Sequence, residues 1–100
     1  MDITQQGYVK YEVSPAGVAR IVFFHPNHNS LPSKLLQSLA DAFERASSDP
    51  AARIVLLASE GHKTFCAGAS FDELSAINDF ETGHRFFSGF GNVINAMRQC

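Results

Sequence analysis

Hydrophobic and polar residues alternate along YVKYEVS (8 to 14), break at Pro15-Ala16-Gly17, and resume in VARIVFF (18 to 24) with β-branched and aromatic residues. Alternation at period two on both sides of a Pro-Gly turn predicts a β-hairpin. HPNHNSLP (25 to 32) carries too much Pro, Asn and Ser to continue the strand and reads as a loop. The period then changes. Leu35, Leu36, Leu39, Phe43 and Ala46 recur at helical spacing, Pro32 suits a first helical turn, and Asp49-Pro50 stops the run, which predicts a helix over 33 to 48. RIVLLAS (53 to 59) is an unbroken apolar run of strand length, the kind found where a strand is covered on both faces. A last helix is predicted over 81 to 99, where Phe86, Phe90, Val93, Ile94 and Met97 fall on one face and Asp79 can cap the start. The order β, β, α, β with a further helix implies an α/β layer fold with parallel neighbours.

Between the apolar strand and the last helix lies KTFCAGASFDEL (63 to 74). Ser70 followed three residues later by Glu73 matches a capping box, and Asp72 adds negative charge to the first turn of a short helix starting near residue 70. Capping does not require the small residues before it. Ala67, Gly68 and Ala69 cannot shield their own backbone, and Gly68 can take a positive φ that turns successive N–H groups outward toward one point. Backbone donors behind a glycine at a helix start are suited to an anion or a developing oxyanion.

Composition narrows the choice of partner. The chain has 100 residues, enough for one domain, with 45% hydrophobic and 18% charged residues and a net charge of -2. It lacks the basic stripe of a nucleic-acid or membrane-surface protein, and no apolar run approaches the ~18 residues of a membrane span. Cys66 and Cys100, with no signal or transit pattern, suggest free thiols in a reduced, intracellular setting. Competing motifs fail on spacing. Gly68-Ala69-Ser70-Phe71-Asp72 lacks the second glycine of a nucleophile elbow. Cys66 with His62 could form a nucleophile pair, but a lone cysteine between Phe65 and Ala67 reads as a small buried hydrophobe. His25, His28, His62 and His84 share no zinc-site spacing, so no metal is expected. A single glycine makes neither a dinucleotide fingerprint nor a P-loop.

GVARIVFFHPNHNSLPSKLLQSLADAFERASSDPAARIVLLASEGHKTFCAGASFDEL (17 to 74) resembles, element by element, the enoyl-CoA hydratase/isomerase (crotonase) family. The likeness rests on the Asn-x-Leu loop, the helix ending in Asp-Pro, and the Phe-Cys-Ala-Gly-Ala run at the right distance from both. It implies the crotonase-like ββα-repeat (spiral) fold, with residues 1–100 as the N-terminal part of a single acyl-CoA-binding domain without internal boundary. It implies that the Ala69 backbone N–H is one oxyanion donor for a thioester carbonyl. Leu31, Ala67, Gly68, Ala69, Ser70, Phe71 and Asp72 would line the acyl-CoA site. No cofactor is implied, since coenzyme A is part of the substrate; the assembly would be a homotrimer or dimer of trimers, and the compartment cytoplasmic. An enoyl-CoA hydratase fits first, while isomerase, dehydratase and thioester hydrolase members share this half. A non-catalytic CoA-binding or oligomer-forming unit is the alternative.

The departures are local. Ser70 stands where many members have Asp, and the loop that usually carries a basic residue for the CoA phosphates reads His25-Pro26-Asn27-His28, leaving Lys34 or Lys63 to substitute. The family's second oxyanion glycine and its acid–base glutamates are expected beyond residue 100. Glu73 and Glu81 do not match them. Phe71, Phe86, Phe87 and Phe90 could line an acyl pocket, but their helical spacing reads first as core.

Overall fold

The hairpin forms where the alternation breaks. In the computed structural model, which describes residues 7–61 and 64–100, strand β1 (Tyr8–Val13) pairs antiparallel with β2 (Val18–Phe24), from Tyr8 opposite Phe24 to Val13 opposite Ala19. Gly17 donates to the Ser14 carbonyl at 2.9 Å with φ +90, and a Cβ there would lie 2.7 Å from the Arg53 side chain. Both conformation and space call for glycine.

Helix α1 (Ser33–Ser48) occupies the predicted range and is the crossover from β2 to β4 (Ile54–Ser59), which lies parallel to β2 in a sheet of order β1-β2-β4. A parallel pair requires such a connection. Pro32 sits at the cap position of α1, one place before its first turn. Ile21 and Phe23 of β2 meet Leu35, Leu36, Leu39 and Phe43 of α1 in one core cluster, closed by Phe86 and Val93 of a last helix, α3 (Phe80–Gln99). Val55 and Leu57 of β4 pack against that core, whereas Ile54 and Leu56 are 62% and 49% exposed. The expectation that this strand is covered on both faces is therefore corrected. Both long helices contribute to the core on one side, and the pleat points every second β4 residue away from them.

The Asp79 carboxylate caps α3, accepting the Thr82 N–H at 2.7 Å, and that bond holds its pKa below the usual carboxylate value. The buried line of α3 runs through Phe86, Val93 and Ala96. Gly89 belongs to it, since a Cβ there would come within 3.0 Å of Leu36 Cδ1. Ile94 and Met97, expected on the buried face, are exposed. Small residues mark where two helices approach, so α3 turns toward Gly89 and Ala96 and away from Ile94.

A second correction lies in the segment predicted as loop. Ser30–Leu31 form strand β3, which pairs in parallel with β5 (Gly68–Ala69), Ser30 opposite Gly68 and Leu31 opposite Ala69. Helix α2 (Phe71–Ser75) follows at once. Among the described residues no helix is long and apolar enough to cross a membrane.

Candidate active site

Gly68 has φ +96, the positive value expected of it, and a Cβ there would meet nothing within 4 Å among the described residues. Conformation alone, not crowding, selects glycine here. The consequence lies in the next three N–H groups. Gly68 N–H points to Cys66 Sγ at 3.4 Å, and Ser70 N–H donates to the Leu31 carbonyl at 3.2 Å. Successive N–H groups of a strand point to opposite edges, so the Ala69 N–H faces away from β3. Among the described residues no hydrogen bond outside the strand ladders takes it. The result is a donor facing away from β3 in the strand residue just ahead of a helix cap, the arrangement that can polarise a carbonyl oxygen.

The cap itself differs from expectation. Ser70 Oγ accepts the Glu73 N–H at 3.4 Å, which is half of the capping box. The Glu73 carboxylate does not return to Ser70. It crosses to α1, accepting the Ser33 N–H at 2.9 Å and the Ser33 hydroxyl. Pro32 has no side-chain acceptor to cap α1, so the unpaired Ser33 N–H draws the carboxylate instead. Ser70 is buried, its hydroxyl oxygen accepting the Glu73 N–H, and among the described residues no side chain accepts its proton.

The remaining predicted site residues scatter in exposure. Ala67 and Asp72 are exposed and Phe71 is 76% exposed, while the Leu31 side chain lies in the core. Phe86 is core and Phe90 packs against it edge to face, whereas Phe87 is exposed. Lys34 is exposed in the first turn of α1. Lys63 and His62 lie outside the described residues. Cys66 is half-buried against the core, as a small hydrophobe would be. Glu81 is exposed and pairs with Arg85 at 3.3 Å. Among the described residues no three His, Cys, Asp or Glu side chains gather as a metal site.

Asn29, which the sequence offers only as the first residue of the Asn-x-Leu loop, is prominent in the structure. Asn29 is 2% exposed with φ +60. Its Nδ2 donates to the carbonyls of Glu60 and Thr64, each at 2.8 Å, and its Oδ1 accepts the His25 N–H at 2.8 Å. A readable signal existed: Asn is among the few residues that adopt left-handed backbone readily. Beside it, at the carboxyl ends of β2 and β4, an open pocket of ≈ 300 Å³ is lined by Phe24, His25, His28, Asn29, Glu60 and Thr64. The Ala69 turn is not part of that lining. His25 Nδ1 accepts the Asn27 N–H at 3.1 Å; burial lowers the imidazole pKa, opposed by the nearby Asp72 carboxylate.

With this geometry in place, the sequence profile described as enoyl-CoA hydratase/isomerase matches residues 13–99. An enoyl-CoA hydratase from Mycobacterium smegmatis is similar at 29% identity and TM-score 0.80, over 88% of this chain and 34% of that one. An enoyl-CoA hydratase/carnithine racemase from Magnetospirillum magneticum shares the fold at TM-score 0.81 and 24% identity, over 100% of this chain and 36% of that one. The enoyl-CoA hydratase from Mycobacterium avium subsp. paratuberculosis shares it at TM-score 0.65 and 24% identity, over 88% and 30%. The chain thus spans about a third of the length of these structures.

Proposed function

The chain belongs to the enoyl-CoA hydratase/isomerase family, and from that premise we propose that the complete protein is a 2-enoyl-CoA hydratase in which the Ala69 N–H is one oxyanion donor. The observation that carries this reading is the Ala69 N–H that faces away from β3 beside a glycine at φ +96. The enoyl-CoA hydratase from Mycobacterium smegmatis, at 29% identity, supports hydration as the first reading. Water oxygen bonds to C3 as a base takes one of its protons, the electron pair of the 2,3 double bond moves toward the thioester oxygen as an enolate, and the enolate collapses as an acid delivers a proton to C2. A backbone donor fixed before the reaction stabilises that charge without reorganising. The exposed Ala67, Phe71 and Asp72 border the turn where the acyl-CoA would lie, with Gly68, Ser70 and Leu31 supplying its frame.

Proton transfer needs a separate acid and base. Glu73 is engaged by Ser33 and Glu81 by Arg85, so the proposal assigns those roles to sequence beyond these residues. The test is Ala69→Pro in the complete protein, with crotonyl-CoA hydration followed by loss of its conjugated absorbance. The Ala69 N–H faces away from β3, so proline removes the donor while the Ser70 N–H to Leu31 carbonyl bond between the two segments remains. Turnover should fall on the order of 10²–10³-fold, with Ala69→Gly within about threefold of wild type. A proline variant that hydrates crotonyl-CoA normally refutes the assignment. A wild-type protein that binds CoA without turnover favours the non-catalytic alternative.

A further inference from the structure

We propose that Asn29 is a positioning residue that sets the Ala69 N–H through β3, an inference that rests on the oxyanion reading of Ala69. The ladder carrying that donor is only two residues per strand, too short to hold its own register. Something outside it must fix both strands. On the trailing side Glu73 ties α2 to Ser33 at the start of α1. On the leading side Asn29 immediately precedes β3, and its carboxamide grips the Glu60 and Thr64 carbonyls in the segment that leads from β4 to β5. One side chain therefore anchors the approaches to both strands. Its oxygen also takes the His25 N–H, so the loop from β2 is closed by the same group. With both amide hydrogens and the oxygen engaged at 2.8 Å inside a 2% exposed site, the carboxamide has one orientation open to it.

A rival explanation is that asparagine is present only because the backbone there is left-handed, at φ +60. Asn29→Gly separates the two, since glycine keeps that conformation and loses the tether. The experiment uses the complete protein, crotonyl-CoA for turnover, and butanoyl-CoA labelled at the thioester carbonyl for infrared spectroscopy of the bound complex. Wild type should shift the carbonyl stretch to lower frequency on binding. In Asn29→Gly the shift should shrink and kcat fall roughly tenfold to a hundredfold, with KM within about threefold. Asn29→Asp should behave similarly, with a signature of its own: its kcat relative to wild type rises as pH falls, because the protonated acid regains one donor for the carbonyls. Wild-type kcat and wild-type carbonyl shift in Asn29→Gly overturn the inference while leaving the Ala69 reading intact. No shift in the wild type sinks the Ala69 reading and this one with it. Hydrogen exchange on the unmutated protein tests the tether without any variant. The His25 amide should exchange slowly, and more slowly with butanoyl-CoA bound; exchange at open-loop rates overturns the proposal.

Discussion

Gly68→Ala isolates backbone conformation from packing. The added methyl would meet nothing within 4 Å among the described residues, so they add no steric cost, and what remains is the price of placing an L-residue at φ +96. Such a residue costs about 1–3 kcal/mol, offset by about 0.4–1 kcal/mol because alanine stiffens the unfolded chain. If the turn keeps its shape, the variant should lose roughly 0–2.6 kcal/mol of stability by these two terms, about 1.3 kcal/mol at their midpoints. If the turn relaxes to a negative φ, that loss disappears from the stability and reappears in the rate. The Ala69 N–H then rotates off its direction, and losing an oxyanion donor costs about 2.7–4 kcal/mol of transition-state stabilisation. A variant that is fully stable must therefore be slow.

The assay pairs urea denaturation of the complete protein with the initial rate of crotonyl-CoA hydration. Gly91→Ala serves as the internal control. A Cβ at Gly91 also meets nothing within 4 Å among the described residues, but that glycine lies inside α3 at an ordinary φ. There alanine should stabilise by about 0.5–1 kcal/mol. The same chemical change in equally open space should thus shift the midpoint in opposite directions at 68 and 91. A Gly68→Ala protein as stable and as fast as wild type, or a shared direction for the two variants, refutes the reasoning.

Two further predictions concern the frame around the turn. Leu36 is 1% exposed where α1, α3 and the sheet meet, so Leu36→Ala should cost about 2–5 kcal/mol in the same denaturation assay; a loss under about 1 kcal/mol would mean that the α1–α3 contact is not packed as described. Burial lowers the His25 pKa in the fold, so below its unfolded value of about 6.5 the unfolded chain binds more protons. Stability is then fully present above that pH and declines as pH falls toward the folded value. Wild type and His25→Gln should respond alike to pH above neutrality, with wild type losing more stability on the acid side; parallel curves throughout would remove the effect of burial.

Much of the frame is legible because periodicity and punctuation agree there. Leu35, Leu36, Leu39 and Phe43 recur at helical spacing between Pro32 and Pro50, and α1 spans the predicted residues. The cap at Asp79 and the positive φ of Gly68 were readable for similar local reasons. What stayed hidden depends on partners distant in sequence. A two-residue strand such as Ser30–Leu31 has no period to read, and only Gly68–Ala69 opposite makes it a strand. Glu73 satisfies the capping-box pattern, yet its partner was decided by the unpaired Ser33 N–H across the fold. Ile94 and Met97 were placed inside by hydrophobicity, whereas Gly89 and Ala96 decide which side of α3 meets α1.

A donor supplied by backbone leaves no mark on its own side chain, so Ala69 is recognised through its neighbours: the glycine that sets the turn and the strand that pairs with it. The same logic separates stability from geometry in this fold. Ile21, Phe23, Leu36 and Phe43 bury the apolar surface that holds the layers together, and none of them belongs to β3, β5 or the loops tied by Asn29. Truncating the core should therefore lower the global midpoint while the surviving folded molecules keep their turn. Cutting the Asn29 tether should weigh more on the rate than on the midpoint. It leaves three polar groups to find other partners, at about 1–3 kcal/mol for each left buried without one. The apolar contacts of the loops it joins, Leu31, the half-buried Cys66 and Ala69, and Phe65 against Phe23, stay in place. Rate and stability should consequently fail to correlate between Leu36→Ala and Asn29→Gly. A single proportional decline of both quantities across the two variants would mean that the turn is set by global packing, and that neither Asn29 nor the short ladder has a separate part in aiming the Ala69 N–H.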